Sequence, residues 1–178
     1  MDPAIAAVLR ASLALLFAVA AGHKARDLAR FRAILAEYRL LPAAATWPVA
    51  ILVPAAELVT AGALTVSAGD AGPLSAAGML ALYTAAIVIN LARGRREIDC
   101  GCAGPLRRQT LGGWLVVRNG ALLAAAIGCL APTAARPLLW TDVVTVAGAV
   151  AGLAALYGAI ERIMASAPGL ARLRAERT

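Results

Sequence analysis

TWPVAILVPAAELVTAGALTVSA, residues 46–68, is a run of 23 residues with one ionisable side chain, Glu57. A helix needs about 20 apolar residues to cross a hydrocarbon core about 30 Å thick. This run therefore reads as a membrane span. Four further runs of similar character flank it, at residues 4–22, 74–92, 112–130 and 138–160. Lipid offers no hydrogen-bond partner to a bare backbone, so each run must be helical. The expected fold is all-α: a polytopic transmembrane bundle of four to five spans. One domain is expected over residues 1–165, with residues 166–178 as a short basic tail.

Composition points the same way. Hydrophobic residues make up 61% of the 178 and charged residues 15%, against roughly 45–50% and about 25% in soluble domains. Aromatics are only 4%, so the apolar content is small and aliphatic, suited to close helix packing in lipid. The first run also has the layout of a signal peptide, with Arg10, an apolar stretch and Ala18-Val19-Ala20. Asp2 near the start argues for a retained span instead.

Residues 23–45 connect the first two spans. Leu28, Phe31, Leu35 and Tyr38 recur there at spacings of three and four. That is one amphipathic helix, expected in the membrane interface and ended by Pro42. It is either a connector or a lid over the bundle.

The net charge is +7. No basic stripe on a soluble domain supports nucleic-acid binding, and the cations fall between the spans. Five basic residues lie after span one (Lys24, Arg26, Arg30, Arg32, Arg39). Five lie after span three (Arg93, Arg95, Arg96, Arg107, Arg108), and four follow span five (Arg162, Arg172, Arg174, Arg177). The opposite side holds only Arg136. Five spans put the three basic segments on one face, which the positive-inside rule makes cytoplasmic. Trp47, Trp114 and Trp140 sit near span boundaries, as an aromatic belt does.

The sharpest motif is Asp99-Cys100-Gly101-Cys102-Ala103-Gly104-Pro105. Thiols one residue apart close a disulfide only with unusual backbone geometry, which Gly101 and Gly104 permit. Strained bridges are the labile, catalytic or regulatory ones. Cys100 and Cys102 are therefore the candidate catalytic pair. Arg96 and neighbouring arginines favour the thiolate, while Asp99 and Glu97 oppose it. Two readings compete: half of a metal site, and two incidental thiols. Zinc needs four ligands, and only His23 and Cys129 remain as good candidates, so no metal is expected within one chain.

Polar residues inside spans are costly and mark function by default. Glu57, Arg118 and Asn119 are the supporting candidates, with Glu57 and Arg118 placed to pair across the bundle. Asn90 and Asp142 lie nearer span ends, and His23 follows the first span.

These residues resemble a known family. Ala21-Gly22-His23-Lys24 with Phe31 and Leu40-Leu41-Pro42, then Glu57-Leu58 with Gly62, resemble its first half. Arg93-Gly94-Arg95 before the Cys-Gly-Cys, and Trp114 through Val117-Arg118-Asn119, resemble its second. The family is that of the methylamine utilisation protein MauE, within the MauE/DoxX group of redox-associated membrane proteins. The resemblance covers about residues 13 to 125. Ala103 departs from it, where a bulky aromatic is expected.

The resemblance implies a four-helix core like that of DoxX, DsbB and vitamin K epoxide reductase bundles. It also implies a membrane thiol–disulfide relay that helps mature an exported enzyme, such as the methylamine dehydrogenase small subunit. The implied partners are a thioredoxin-like, MauD-type protein, its exported substrate and the lipid bilayer. The candidate cofactor is a quinone, and the expected location is the bacterial cytoplasmic (inner) membrane. A non-catalytic assembly or metal-binding factor is the alternative, and a small-solute transporter the third reading. One conflict stands: disulfides form outside the cytoplasm, whereas the charge pattern puts Cys100 and Cys102 on the cytoplasmic face. Inward electron supply, a family topology that overrides the charges, or a re-entrant thiol loop would each resolve it.

Overall fold

The computed structural model describes residues 1–67, 69–99 and 111–175, with side chains to residue 164. The described residues form six α-helices: α1 (Pro3–Arg26), α2 (Leu28–Tyr38), α3 (Thr46–Val66), α4 (Ala71–Ala92), α5 (Gly113–Gly128) and α6 (Trp140–Ala175). A 3-10 turn, Ala43–Ala45, leads into α3. Four helices are long and apolar enough to cross a membrane: α1, α3 with its leading turn, α4, and α6 as far as Met164. Helix α5 has 16 residues, about 24 Å of rise, and is shorter than the expected 112–130.

Local chemistry sets the helix limits. The Asp2 carboxylate accepts from the Ala4 N–H at 2.8 Å, and Pro3 opens α1, a favoured cap followed by a favoured first residue. Asp27, at φ −145° and ψ 74°, breaks the helix and caps α2 through the Arg30 N–H at 2.9 Å. Arg39 ends α2 in the left-handed region at φ 50°, and Pro42 prevents resumption.

Helices α1, α3, α4 and α5 form the core. Helix α1 packs on α3 and α5, α4 packs on the same two, and α6 lies outside along α1. The centre is filled by Leu13, Phe17, Leu64 and Leu80, with Ala61, Ala76 and Ala126 between them. Small residues let helices approach closely where lipid provides no hydrophobic driving force. The tightest approach is at Gly72, where an added Cβ would lie 2.8 Å from the Ala63 carbonyl oxygen and the Leu64 nitrogen of α3. Those are backbone atoms, so α4 would have to move. Gly72→Ala is expected to cost about 1–3 kcal/mol, read as a lower unfolding midpoint in detergent; Gly78→Ala, with nothing near its Cβ, serves as the control.

The two ends of the bundle differ. At one end Arg10 donates to the carbonyls of Ser67 and Gly69 at 2.6 and 2.8 Å, closing the end of α3. There too Arg136 bridges Asp2 and Asp142 at 3.0 and 2.7 Å. At the other end lie α2, the segment after α4, and Glu161 of α6 beside Arg118 of α5. The basic segments with described side chains thus share one end.

Hydrogen bonding to Arg136, with that of the Ala4 N–H, holds the Asp2 carboxyl below its ordinary 3.8. A carboxyl depressed in the folded state stabilises above its unfolded value, and that contribution is lost as pH falls through the folded value. The difference in unfolding midpoint between wild type and Asp2→Asn is therefore expected to hold above pH 3.8 and shrink below it.

Three further features differ from the sequence reading. Helix α1 continues past Gly22 to Arg26, and α6 continues past Ile160 to Ala175. The apolar side of α2 (Phe31, Ile34, Tyr38) is buried against the protein, so this helix covers the bundle end and does not lay that face into lipid.

Candidate functional site

A charge inside a membrane bundle must be paired, because breaking a buried pair leaves an ion without water or counter-ion. Among the described residues, each such charge has a named partner. Lys24, in the last turn of α1, puts Nζ 2.6 Å from Glu57 Oε1 in the middle of α3, and both side chains are buried. The Tyr83 hydroxyl of α4 donates to the same oxygen at 2.8 Å. The Lys24 ammonium also lies 5.5 Å from the Phe31 ring centroid and 5.6 Å from that of Tyr83, within cation–π range. One carboxylate and two aromatic rings, from α2, α3 and α4, thus enclose one ammonium.

The sequence reading expected Glu57 to pair with Arg118, and each takes a different partner. Arg118 Nη1 reaches Glu161 Oε1 at 3.1 Å, while its Nε and Nη2 donate to Asn119 Oδ1 at 3.2 and 3.0 Å. This group ties α5 to α6. The reading also missed Lys24 as an interior residue, along with Tyr83 and Glu161. A signal for Lys24 was present: it is the chain's only lysine among 17 basic residues. With Lys24 inside, one fewer cation marks that face.

Cys100, Gly101 and Cys102 lie outside the described residues, as do Gly104, Arg107 and Arg108. Their flanks are described. Asp99, next to Cys100 in sequence, pairs with Arg30 of α2 at 3.1 Å. The Leu111 N–H donates to the Ile98 carbonyl at 3.1 Å, so the residues bounding the motif meet at a closed neck. Ile98 and Leu111 are buried with Ile34 and Tyr38 of α2, Ile87 of α4 and Leu115 of α5. Arg95 adds bonds to the Tyr38 carbonyl and to Asn90 Oδ1, both 3.3 Å. The neck is therefore fixed beneath α2, at the basic end. Arg96 and Glu97 are exposed beside it.

Other candidates are less involved. Cys129 is a buried thiol at the opposite end, capping α5. His23 is half-buried, and its Nδ1 has no hydrogen-bond partner among the described residues. Trp47 is exposed beneath the Arg32 guanidinium, 5.5 Å away. A quinone's two carbonyl oxygens would need convergent donors. Arg30 and Arg95, the guanidinium groups bordering the buried neck, are engaged by Asp99, Asn90 and the Tyr38 carbonyl.

A core of four apolar helices, a fifth long helix outside it, and ionisable residues paired in the interior define a small multi-pass α-helical membrane protein. The family model for "Methylamine utilisation protein MauE" matches residues 2–132. Curated proteins named methylamine utilization protein MauE match as well. That of Paracoccus versutus is 40% identical over 146 residues, 81% of this chain and 78% of the relative. That of Paracoccus denitrificans is 37% identical over 128 residues, 71% and 69% of the two chains. That of Methylorubrum extorquens is 36% identical over 161 residues, 89% and 87%. No solved structure matches. The chain belongs to the MauE family.

Proposed function

We propose that this protein serves methylamine utilisation as a membrane thiol–disulfide relay in the bacterial inner membrane, acting in the maturation of an exported protein. The observation that carries this reading is the neck beneath α2. Ile98 and Leu111 close the base of the Cys-Gly-Cys segment, and Arg30 holds Asp99 at its first residue. A rigid neck at the rim of a bundle suits a motif that must meet a second protein.

A single exchange balances between the two proteins, and a second disulfide-bearing protein must take the two electrons onward to re-form the Cys100–Cys102 bridge before the next. A thiolate of a thioredoxin-like partner attacks one sulfur of the Cys100–Cys102 disulfide. A mixed disulfide forms and the other cysteine leaves as thiolate. The partner's second thiol then attacks the mixed bridge, leaving the partner oxidised and Cys100 and Cys102 reduced. Two electrons move, and the two protons of the partner's thiols end on the cysteines. Run backwards, the same steps reduce the partner. Arg96, exposed near the motif in sequence, favours the thiolate. Glu57, Arg118 and Asn119 hold the bundle that carries the neck.

Direction follows from sidedness. A membrane-impermeant maleimide applied to intact cells, in a Cys129→Ser background, reads both. Labelling only after reduction is expected for an oxidised pair facing the export compartment. Labelling only in broken membranes after reduction would place the bridge on the cytoplasmic side and reverse the electron flow. Free thiols that never need reductant, under all growth conditions, would contradict the relay.

A further inference from the structure

The enclosure around Lys24 has the composition of a ligand site. A primary ammonium is recognised by a carboxylate for its charge and N–H donors, and by aromatic faces for the rest of its surface. Glu57, Tyr83 and Phe31 provide these, drawn from three helices, and Glu57 is fully buried. Lys24 is buried along its whole side chain, and the terminal CH2–NH3+ that Glu57 and the two rings face is chemically a methylammonium ion. Lys24 is the chain's only lysine, with arginine at the other sixteen Lys/Arg positions. Lys24 also sits two residues from the end of α1, where Ala25 and Arg26 are already exposed. A long side chain at a helix end can reach the interface by snorkelling.

We propose that Glu57, Tyr83 and Phe31 form a binding site for small primary alkylammonium ions, and that Lys24 is its tethered, displaceable occupant. The proposal does not depend on the thiol relay, and its readouts contain no thiol chemistry. A ligand entering from the α2 end takes the place of Nζ, and Lys24 turns outward to the basic end. Because the resident competes, the free ligand binds wild type only through the fraction of molecules with Lys24 displaced. Removing the resident is expected to tighten binding by about tenfold or more.

Two measurements on the full chain in detergent test this, each with methylammonium chloride against sodium and tetramethylammonium at constant ionic strength. In wild type, lysine labelled with 13C at Cε and 15N at Nζ reports on one residue. Its signal is expected to start shifted by the two rings and to move saturably toward that of free lysine with methylammonium alone. In Lys24→Ala, methylammonium alone is expected to raise the unfolding midpoint, and adding Glu57→Gln is expected to abolish that rise. A wild-type signal that methylammonium never moves would overturn displacement and leave Lys24 a permanent structural ion, even if Lys24→Ala is rescued. A rescue that sodium or tetramethylammonium reproduces would overturn the site itself. Should Lys24→Ala fail to fold, the wild-type titration decides alone.

Discussion

Glu57→Ala is expected to accumulate little folded protein. The substitution strands the Lys24 ammonium in the bundle interior, and it also takes the acceptor of the Tyr83 hydroxyl. Removing one partner of a buried ion pair costs about 3–5 kcal/mol, a large part of the 5–15 kcal/mol that keeps an ordinary domain folded. The cost has a local address. Lys24, Glu57, Tyr83 and Phe31 belong to α1, α3, α4 and α2, so α2 should loosen together with the core. Lys24→Met/Glu57→Leu removes both charges and keeps apolar volume, and is expected to recover most of the loss, as buried pairs replaced by packed apolar side chains often do. Midpoints in detergent for both single variants and the pair check this. A double variant no more stable than the worse single would show that the enclosure contributes more than charge balance.

The second large effect falls on the thiols. Cys100→Ser and Cys102→Ser, alone or together, are expected to reduce oxidation of the partner to background, because a hydroxyl can neither form nor leave a mixed disulfide. Stability should change little. Cys129→Ser is expected to leave exchange intact, since that thiol is buried at the opposite end beside α5. Growth on methylamine, with accumulation of each variant checked in membranes, reads the combined effect. Normal growth of the Cys100→Ser/Cys102→Ser double variant would move the protein to the assembly-factor reading.

Hydropathy alone located the helices of the bundle, because lipid forces long apolar runs to be helical. It placed the end of the first span at Gly22, since His23, Lys24 and Arg26 follow. The helix runs to Arg26 because Lys24 has its counter-ion 33 residues away in α3, a tertiary fact that no local window contains. The last helix outruns its apolar stretch and passes Pro168 and Gly169, the two poorest helix formers, so neither hydropathy nor local propensity marked its end. The charges within the spans were legible as unusual, but their pairing was not. Glu57 and Arg118 were plausible partners by sign, and helix rotation gave one to Lys24 and the other to Glu161 and Asn119. The periodicity of α2 was legible too. What its apolar face would meet was not, since lipid and Ile87, Ile98, Leu111 and Leu115 are equivalent to a hydrophobic pattern.

The relay is tested most directly by trapping its intermediate. In a Cys129→Ser background, either Cys100→Ser or Cys102→Ser leaves one thiol that a partner disulfide can capture and that no neighbour can resolve. The account expects one of these variants to carry a covalent adduct with a thioredoxin-like protein on non-reducing gels. The adduct should vanish with reductant and be absent from the double variant. Membranes in which neither single variant forms such an adduct, while exported disulfide proteins mature normally, would contradict it.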